Sequence, residues 1–311
     1  MKTYLLPSAL AVLAIACGCS STPDEPDASA GREEISFSQP FVNNLVLDQH
    51  DKATAPQFSQ FAVWCYVNRP ENVIYQGETV RKQGASWLPV KTEYWFPGNT
   101  YYFTAIVPDS RTAGWSYSIG DLRMDIATSH ASVDLLYAEA NEIEASGGEM
   151  PAVPLTFDHV MSQVSFNIAN DDASRTYSIR VNSLTLKGVT SQGSFDGESW
   201  RTQDTRTDIR FGSMTVGPTT KQATSPAYLL PSSTQGVRIA ISFDVVDASG
   251  KVAESVSREV DSPVVDMVRG RSYCYELRLD PRNFVSTTGT IPIIFTVIDF
   301  GRWEWTKDIY L

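Results

Sequence analysis

The residues best suited to nucleophilic or metal chemistry are sparse in this 311-residue sequence. Its three histidines, His50, His130 and His159, are far apart, and only His159 lies near a serine of a recognisable motif, Ser162. No Gly-x-Ser-x-Gly motif is present, and no cysteines and histidines cluster as zinc ligands do. We therefore expect the protein not to be an enzyme and to use no metal or other cofactor.

Paired carboxylates and aromatic rings are the next candidates for chemistry, since carboxylates bind calcium or attack glycosidic bonds. The pairs Asp171-Asp172 and Glu142/Glu144 lie in polar, loop-like sequence, which predicts solvated surface rather than a site. Tryptophans could stack on sugars, but their large apolar area favours burial in cores. The seven tryptophans are Trp64, Trp87, Trp95, Trp115, Trp200, Trp303 and Trp305.

The composition is that of a globular protein with an acidic surface. Apolar residues make up 42% and charged residues 20% of the chain, and its length suits about two domains. The net charge of −11 would repel phosphate backbones, so we expect no nucleic-acid partner.

The first 18 residues are typical of an export signal. The apolar run over residues 5–16 is shorter than the ~20 residues of a membrane-spanning helix and suits a signal peptide. Ala16-Cys17-Gly18-Cys19 resembles a lipobox, in which small residues precede an acylated cysteine. Cys19 is the preferred lipid attachment site, Cys17 is the alternative, and an ordinary secretory signal is the remaining interpretation. Residues 19–33 are polar and acidic, which predicts a flexible tether.

Period-two alternation recurs along the rest of the chain, as in residues 61–67, 101–107 and 237–243. Turn signals separate these runs, and the only other features expected are a partial helix within 133–145 and a turn at 161–164. The pattern predicts an all-β protein of two antiparallel β-sandwich domains. The glycine-rich break near residue 150 divides them into residues 34–150 and 151–311.

Two cysteines, Cys65 and Cys274, lie beyond the signal region. Cys65 alternates with apolar residues and is predicted to be a small core residue. Cys274 is predicted on the strand face opposite the tyrosines that flank it. A disulfide between them is possible in an exported protein but is not expected, because the two are so far apart.

Several motifs together resemble one known family. A DLLYA stretch at 134–138 precedes an L-x-F-x-H-x-x-S-x-V-x-F stretch at 155–166, and an aromatic hairpin with Pro-Gly-Asn lies at 94–105. Tyr-Leu-Leu-Pro at 228–231 and a G-x-x-Y-x-Y strand at 270–275 follow in order. From about residue 34 onward the chain resembles the fimbrillin-like lipoproteins of Bacteroidetes, which are type V pilin-like subunits.

The resemblance implies two transthyretin-like sandwiches in a stalk, anchor or tip subunit of surface fimbriae that support adhesion. It implies an outer-membrane, palmitate-bearing lipoprotein whose partners are other fimbrial subunits and a host or bacterial surface ligand. A protease cuts such subunits after arginine or lysine, and a neighbour's carboxy-terminal segment fills the groove that opens. It also makes His159 a structural strand residue.

The candidate processing sites are Arg32 and Lys52. Only a cut at Lys52, in the polar loop expected there, would free the predicted strand at 35–37, whereas a cut at Arg32 severs the tether. An anchor that is never cleaved is the alternative, because the arginine common in this loop is absent. The candidate donor strand is the carboxy-terminal stretch 303–311, in which apolar and polar residues alternate. Its apolar residues are Trp303, Trp305, Ile309 and Leu311.

Two questions remain open at this stage. The terminal strand either closes its own sandwich or is donated to a neighbour. The function is either that of a fimbrial subunit or, as the alternative, that of a cell-surface glycan-binding lipoprotein, which should expose two or three aromatic side chains on one rigid patch.

The lipobox makes a direct prediction about anchoring. Replacing both cysteines, Cys19→Ala with Cys17→Ala, removes every thiol that the lipobox offers, so fatty-acid labelling should be lost and the protein should leave the membrane fraction. Persistent labelling of the double variant with a fatty-acid probe would show that the lipid attachment site is elsewhere.

Overall fold

The computed structural model describes residues 32–44, 52–54, 58–109, 114–286 and 291–302. Within these ranges the protein is built almost wholly of strands, which confirms the all-β prediction. The strands are β1 (Phe41–Asn44), β2 (Lys52–Thr54), β3 (Gln60–Val67), β4 (Arg69–Gln83), β5 (Ser86–Pro89), β6 (Thr100–Val107), β7 (Trp115–Ser118), β8 (Asp121–Asp125), β9 (Leu136–Glu144), β10 (Thr156–His159), β11 (Ser162–Asn170), β12 (Tyr177–Thr190), β13 (Gln192–Phe195), β14 (Trp200–Thr202), β15 (Arg206–Phe211), β16 (Met214–Val216), β17 (Lys221–Ala223), β18 (Ala227–Leu229), β19 (Arg238–Asp247), β20 (Val252–Asp261), β21 (Arg271–Leu279) and β22 (Phe295–Arg302). The two short helices are α1 (Ile126–Ser129) and α2 (Arg282–Ser286).

The first sheet has eight strands in the order β2-β1-β10-β9-β6-β3-β4-β5. Alternation along its central strands β3 and β6 places Phe61, Val63 and Phe103 on one face, where all three are fully buried. These side chains belong to the first core, a cluster drawn from residues 35–157. Cys65 is buried in the same cluster, as the sequence predicts.

Two five-stranded sheets face each other around the second core, a cluster drawn from residues 62–295. One contains β11 and β21, and the other contains β12 and β19. The Phe166 ring of β11 meets the Phe211 ring of β15 at 4.7 Å, so side chains from opposite sheets interlock.

Most strand pairs are antiparallel, as predicted, but β11 and β21 are parallel over eight residue pairs, and β1 and β10 are also parallel. Parallel neighbours need a long crossover. Between β11 and β21 the chain supplies one, since β12, β15, β16, β19 and β20 build the opposite sheet before the chain returns. The alternation of apolar and polar residues within a strand does not show whether the strand runs parallel or antiparallel to its neighbour.

A four-stranded sheet in the order β14-β13-β8-β7 combines strands from both halves of the chain. Strand β10, from beyond residue 150, pairs with β9 in the first sheet. The division into domains at residues 34–150 and 151–311 therefore stays a prediction. The expected partial helix within 133–145 and turn at 161–164 are wrong, because residues 136–144 form β9 and residues 162–170 form β11.

Asp172 is fully buried, contrary to the expectation that Asp171 and Asp172 form a solvated pair. Its carboxylate accepts hydrogen bonds from the backbone amides of Ser174, Thr176 and Tyr177 and so organises the turn between β11 and β12. Burial raises the pKa of Asp172, but a hydrogen bond from the Ser174 hydroxyl, together with those from the amides, outweighs burial and leaves the pKa below its ordinary value. Glu142 and Glu144 are exposed on β9, as expected.

Four tryptophans, Trp64, Trp87, Trp95 and Trp115, are buried, which confirms the core prediction for them. Trp200 is half-buried, and its indole nitrogen donates a hydrogen bond to the Val160 carbonyl at 2.6 Å. In the part of the chain that the structure describes, no helix is long and apolar enough to cross a bilayer.

Candidate functional site

Residues 33–44 form an extended segment that joins the two ends of the first sheet, and we call it the closing segment. At one end of the sheet, the Phe37 amide donates to the Trp87 carbonyl of β5 at 3.0 Å. At the other end, β1 pairs with β10, and the Phe41 amide donates to the Leu155 carbonyl at 3.0 Å. The segment therefore completes a layer that the remaining strands leave open.

Backbone hydrogen bonds hold the closing segment from both sides. The Ile35 amide donates to the Glu93 carbonyl, and the Glu33 carbonyl accepts from the Trp95 amide, at 2.8 and 2.9 Å. On the opposite side, the Val153 amide donates to the Ser36 carbonyl at 2.8 Å. Pairing on both edges is the environment of an internal strand, although Glu34 and Phe37 form only isolated bridges rather than a regular ladder.

Three side chains of the closing segment are buried in the first core: Ile35, Phe37 and Val42, each at most 2% exposed. The Phe37 ring packs edge-on against Phe61 at 5.5 Å and Phe103 at 5.8 Å. The trough beneath the segment is thus lined with aromatic rings. Removal of the closing segment would expose these rings to water.

Both predicted processing residues flank the closing segment. Arg32 is exposed, with its guanidinium 4.4 Å above the Phe96 ring. Lys52 is the first residue of β2, where it pairs with Asn44, rather than part of a loop as expected. This placement arises because β1 and β2 form an antiparallel pair across the stretch 45–51, which lies outside the described residues.

The other predicted site residues, Cys17, Cys19 and the donor residues in 303–311, lie outside the described part of the chain. The strand that leads to the donor residues, β22, pairs antiparallel with β21. In the sheet order it is an outermost strand. Ile294, just before this strand, and Phe300, within it, are 70% and 63% exposed.

The remaining reactive side chains, Cys65, Cys274 and His159, are all buried. Burial raises the pKa of the Cys65 thiol and of the Cys274 thiol, so both are poor nucleophiles. Cys274 is on the face opposite Tyr273 and Tyr275, and both described cysteines are free thiols. His159 ends β10 with its Nδ1 3.0 Å from an Asp134 carboxylate oxygen, which fits a structural position.

The sequence profile of the fimbrillin-like family matches residues 53–292. This chain belongs to the fimbrillin-like family. No curated protein sequence matches it. The family match begins just after the closing segment and covers most of both cores.

Solved structures share the fold of this fimbrillin-like protein at low sequence identity. A fimbrial protein from Bacteroides vulgatus is 14% identical, with a TM-score of 0.55 over 86% of this chain and 99% of the other. A candidate cell adhesion protein from Bacteroides ovatus is 16% identical, with a TM-score of 0.57 over 89% and 99%. A further candidate adhesion protein, from Bacteroides uniformis, is 15% identical, with a TM-score of 0.53 over 87% and 99%.

Sequence reasoning found the closing segment of this fimbrillin-like protein but not its partners. The alternation of Ile35 and Phe37 with serines marked a half-buried strand. The Trp87 carbonyl accepts a hydrogen bond from the segment, and the Val153 amide donates one to it. Both residues are distant in sequence, and no local pattern predicts that they pair with it.

The closing segment offers a matched pair of substitutions. Phe37→Ala should lower the free energy of unfolding of the intact protein by about 3–5 kcal/mol, because it leaves a cavity against Phe61 and Phe103. Phe41→Ala is the control in the same segment, since its ring is 43% exposed, and should change little. Denaturant unfolding followed by circular dichroism measures both, and equal small effects would show that the segment does not stabilise the first core.

Proposed function

We propose that this fimbrillin-like protein is a non-enzymatic structural subunit of cell-surface fimbriae that joins its neighbours by β-strand donation. The single observation that carries the proposal is the closing segment, which is paired on both edges and buried yet lies between two basic residues. A segment with those properties is hydrogen-bonded like a strand of the sheet, and a protease that cuts after basic residues can remove it.

Removing the closing segment would create a specific acceptor. The amides of Trp95 and Val153 and the carbonyls of Glu93 and Trp87 would lose their partners, above a trough lined with aromatic rings. Unpaired strand edges bind other strands readily. An extended segment from a neighbour could restore the hydrogen bonds and cover the rings.

The donor in this proposal is the alternating segment at residues 303–311. It follows β22 directly, and β22 is an outermost strand. A contact between one subunit's carboxy-terminal segment and the next subunit's groove is head-to-tail, so it can repeat into a filament. The competing interpretation, in which residues 303–311 close their own sandwich, remains open.

Anchoring and maturation complete the proposal. We propose that Cys19, or alternatively Cys17, carries the lipid that holds the subunit at the outer membrane before assembly. A cut at Lys52 would release the closing segment together with the lipid, whereas a cut at Arg32 would release only the tether. The two sandwich domains would follow one another along the fimbria.

Limited trypsin treatment followed by electron microscopy tests assembly. The treated wild-type protein should form filaments, and a variant lacking residues 303–311 should stay a folded monomer. If the truncated protein instead loses its cooperative thermal unfolding, residues 303–311 belong to its own core and are not donated.

Two single substitutions separate the processing sites. Lys52→Gln should prevent filaments, because the closing segment stays covalently attached and occupies the groove. Arg32→Gln should leave assembly unchanged, because that site lies ahead of the segment. Filaments from the Lys52→Gln variant in which amino-terminal sequencing still finds residues 33–44 would contradict strand exchange.

A further inference from the structure

Three half-buried tyrosines form a patch on the face of the first sheet that points away from the closing segment. Tyr66 of β3 and Tyr102 of β6 are direct cross-strand neighbours, and their rings are parallel within 5° at 4.7 Å. Tyr117 of β7 reaches over the same face and packs on Trp64 at 4.7 Å. We call Tyr66, Tyr102 and Tyr117, with the polar residues between them, the tyrosine shelf.

Strand register brings a carboxylate to the shelf. Thr104 lies opposite Trp64 on one side and opposite Glu139 of β9 on the other. Glu139 is thus one strand away from the stacked pair and on the same face. The rings and polar groups of the shelf therefore lie on strands whose positions are fixed by backbone hydrogen bonds.

The polar groups of the shelf are held in place. Asn141 donates from its amide nitrogen to one Glu139 carboxylate oxygen at 3.0 Å, and the Tyr137 hydroxyl donates to the other. The Tyr117 hydroxyl donates to the Thr104 hydroxyl at 3.0 Å and accepts from the Gly120 amide at 3.1 Å. Such preorganisation reduces the entropy lost when a ligand binds.

The charged group that the strand register places on the shelf is the Glu139 carboxylate. Glu139 is exposed and takes part in none of the ion pairs found among the described residues. Burial raises the pKa of Tyr66, and Tyr102, Tyr117 and Glu139 raise it further, in agreement with their proximity. An acidic ligand would therefore be repelled.

We propose that the tyrosine shelf binds a neutral saccharide. Aromatic rings offer apolar surface to the C–H groups of a sugar, while a fixed carboxylate, amide and hydroxyls match sugar hydroxyls that both donate and accept hydrogen bonds. The negative charge selects against sialylated and sulfated glycans. Because the shelf and the closing segment lie on opposite faces of the first sheet, saccharide binding does not depend on strand donation.

A printed oligosaccharide array, probed with the full chain, tests the proposal. The wild-type protein should bind a subset of neutral oligosaccharides and should not bind sialylated or sulfated ones. Tyr66→Ala and Tyr102→Ala should each weaken that binding by roughly tenfold, because the stacked pair loses a ring. Tyr66→Phe should retain most of it, and Glu139→Gln should weaken it without a loss of fold, since that side chain is exposed.

Phe300→Ala is the matched control, because this exposed aromatic residue lies on β22, away from the first sheet. It should bind as the wild-type protein does, and thermal unfolding verifies that every variant is folded. The proposal is overturned if no neutral oligosaccharide binds, if the folded tyrosine and Glu139 variants bind undiminished, or if only acidic glycans bind. Competition by a lysine-rich peptide, but not by free saccharide, would show that the shelf takes a basic peptide and would also overturn it.

Discussion

The pairing of Phe37 with Trp87 on one side and Val153 on the other holds the first core closed. Trp87 belongs to the outermost strand β5 and Val153 lies just before β10, so without the closing segment backbone groups on both sides lose their partners above buried rings. The cost of burying or exposing unpaired backbone groups makes some strand obligatory at this place. The hydrogen bonds made by residues 36–38 use backbone atoms, so they do not require that this strand come from the same chain.

The outer face of the same sheet has a different role. Ala62, Trp64 and Ile106 point away from the closing segment and join the second core, where the hairpin of β7 and β8 covers them. On the same face, Tyr66 and Tyr102 remain half-buried. In the proposed account, one sheet therefore carries an acceptor groove on its inner face and a recognition surface on its outer face.

Alternation in the sequence was sufficient to predict the strands, the burial of Cys65 and the half-buried character of residues 35–37. It could not predict pairing between distant residues, since Tyr66 and Tyr102 become neighbours only through the β3–β6 register. The parallel pairing of β11 with β21 depends on an intervening sheet and leaves no local pattern. Asp172 was misjudged for the same reason, because the amides that surround its carboxylate converge only when the turn forms.

Hydrogen–deuterium exchange at the Trp95 and Val153 amides tests most directly whether the closing segment holds the place of a donated strand. Both amides donate to carbonyls of the closing segment in the intact protein, so they should exchange slowly there. They should exchange rapidly once the protein has been cut at Lys52 and the segment removed, and slowly again in the filament. Slow exchange in the cut and separated protein, or rapid exchange in the filament, would contradict the account.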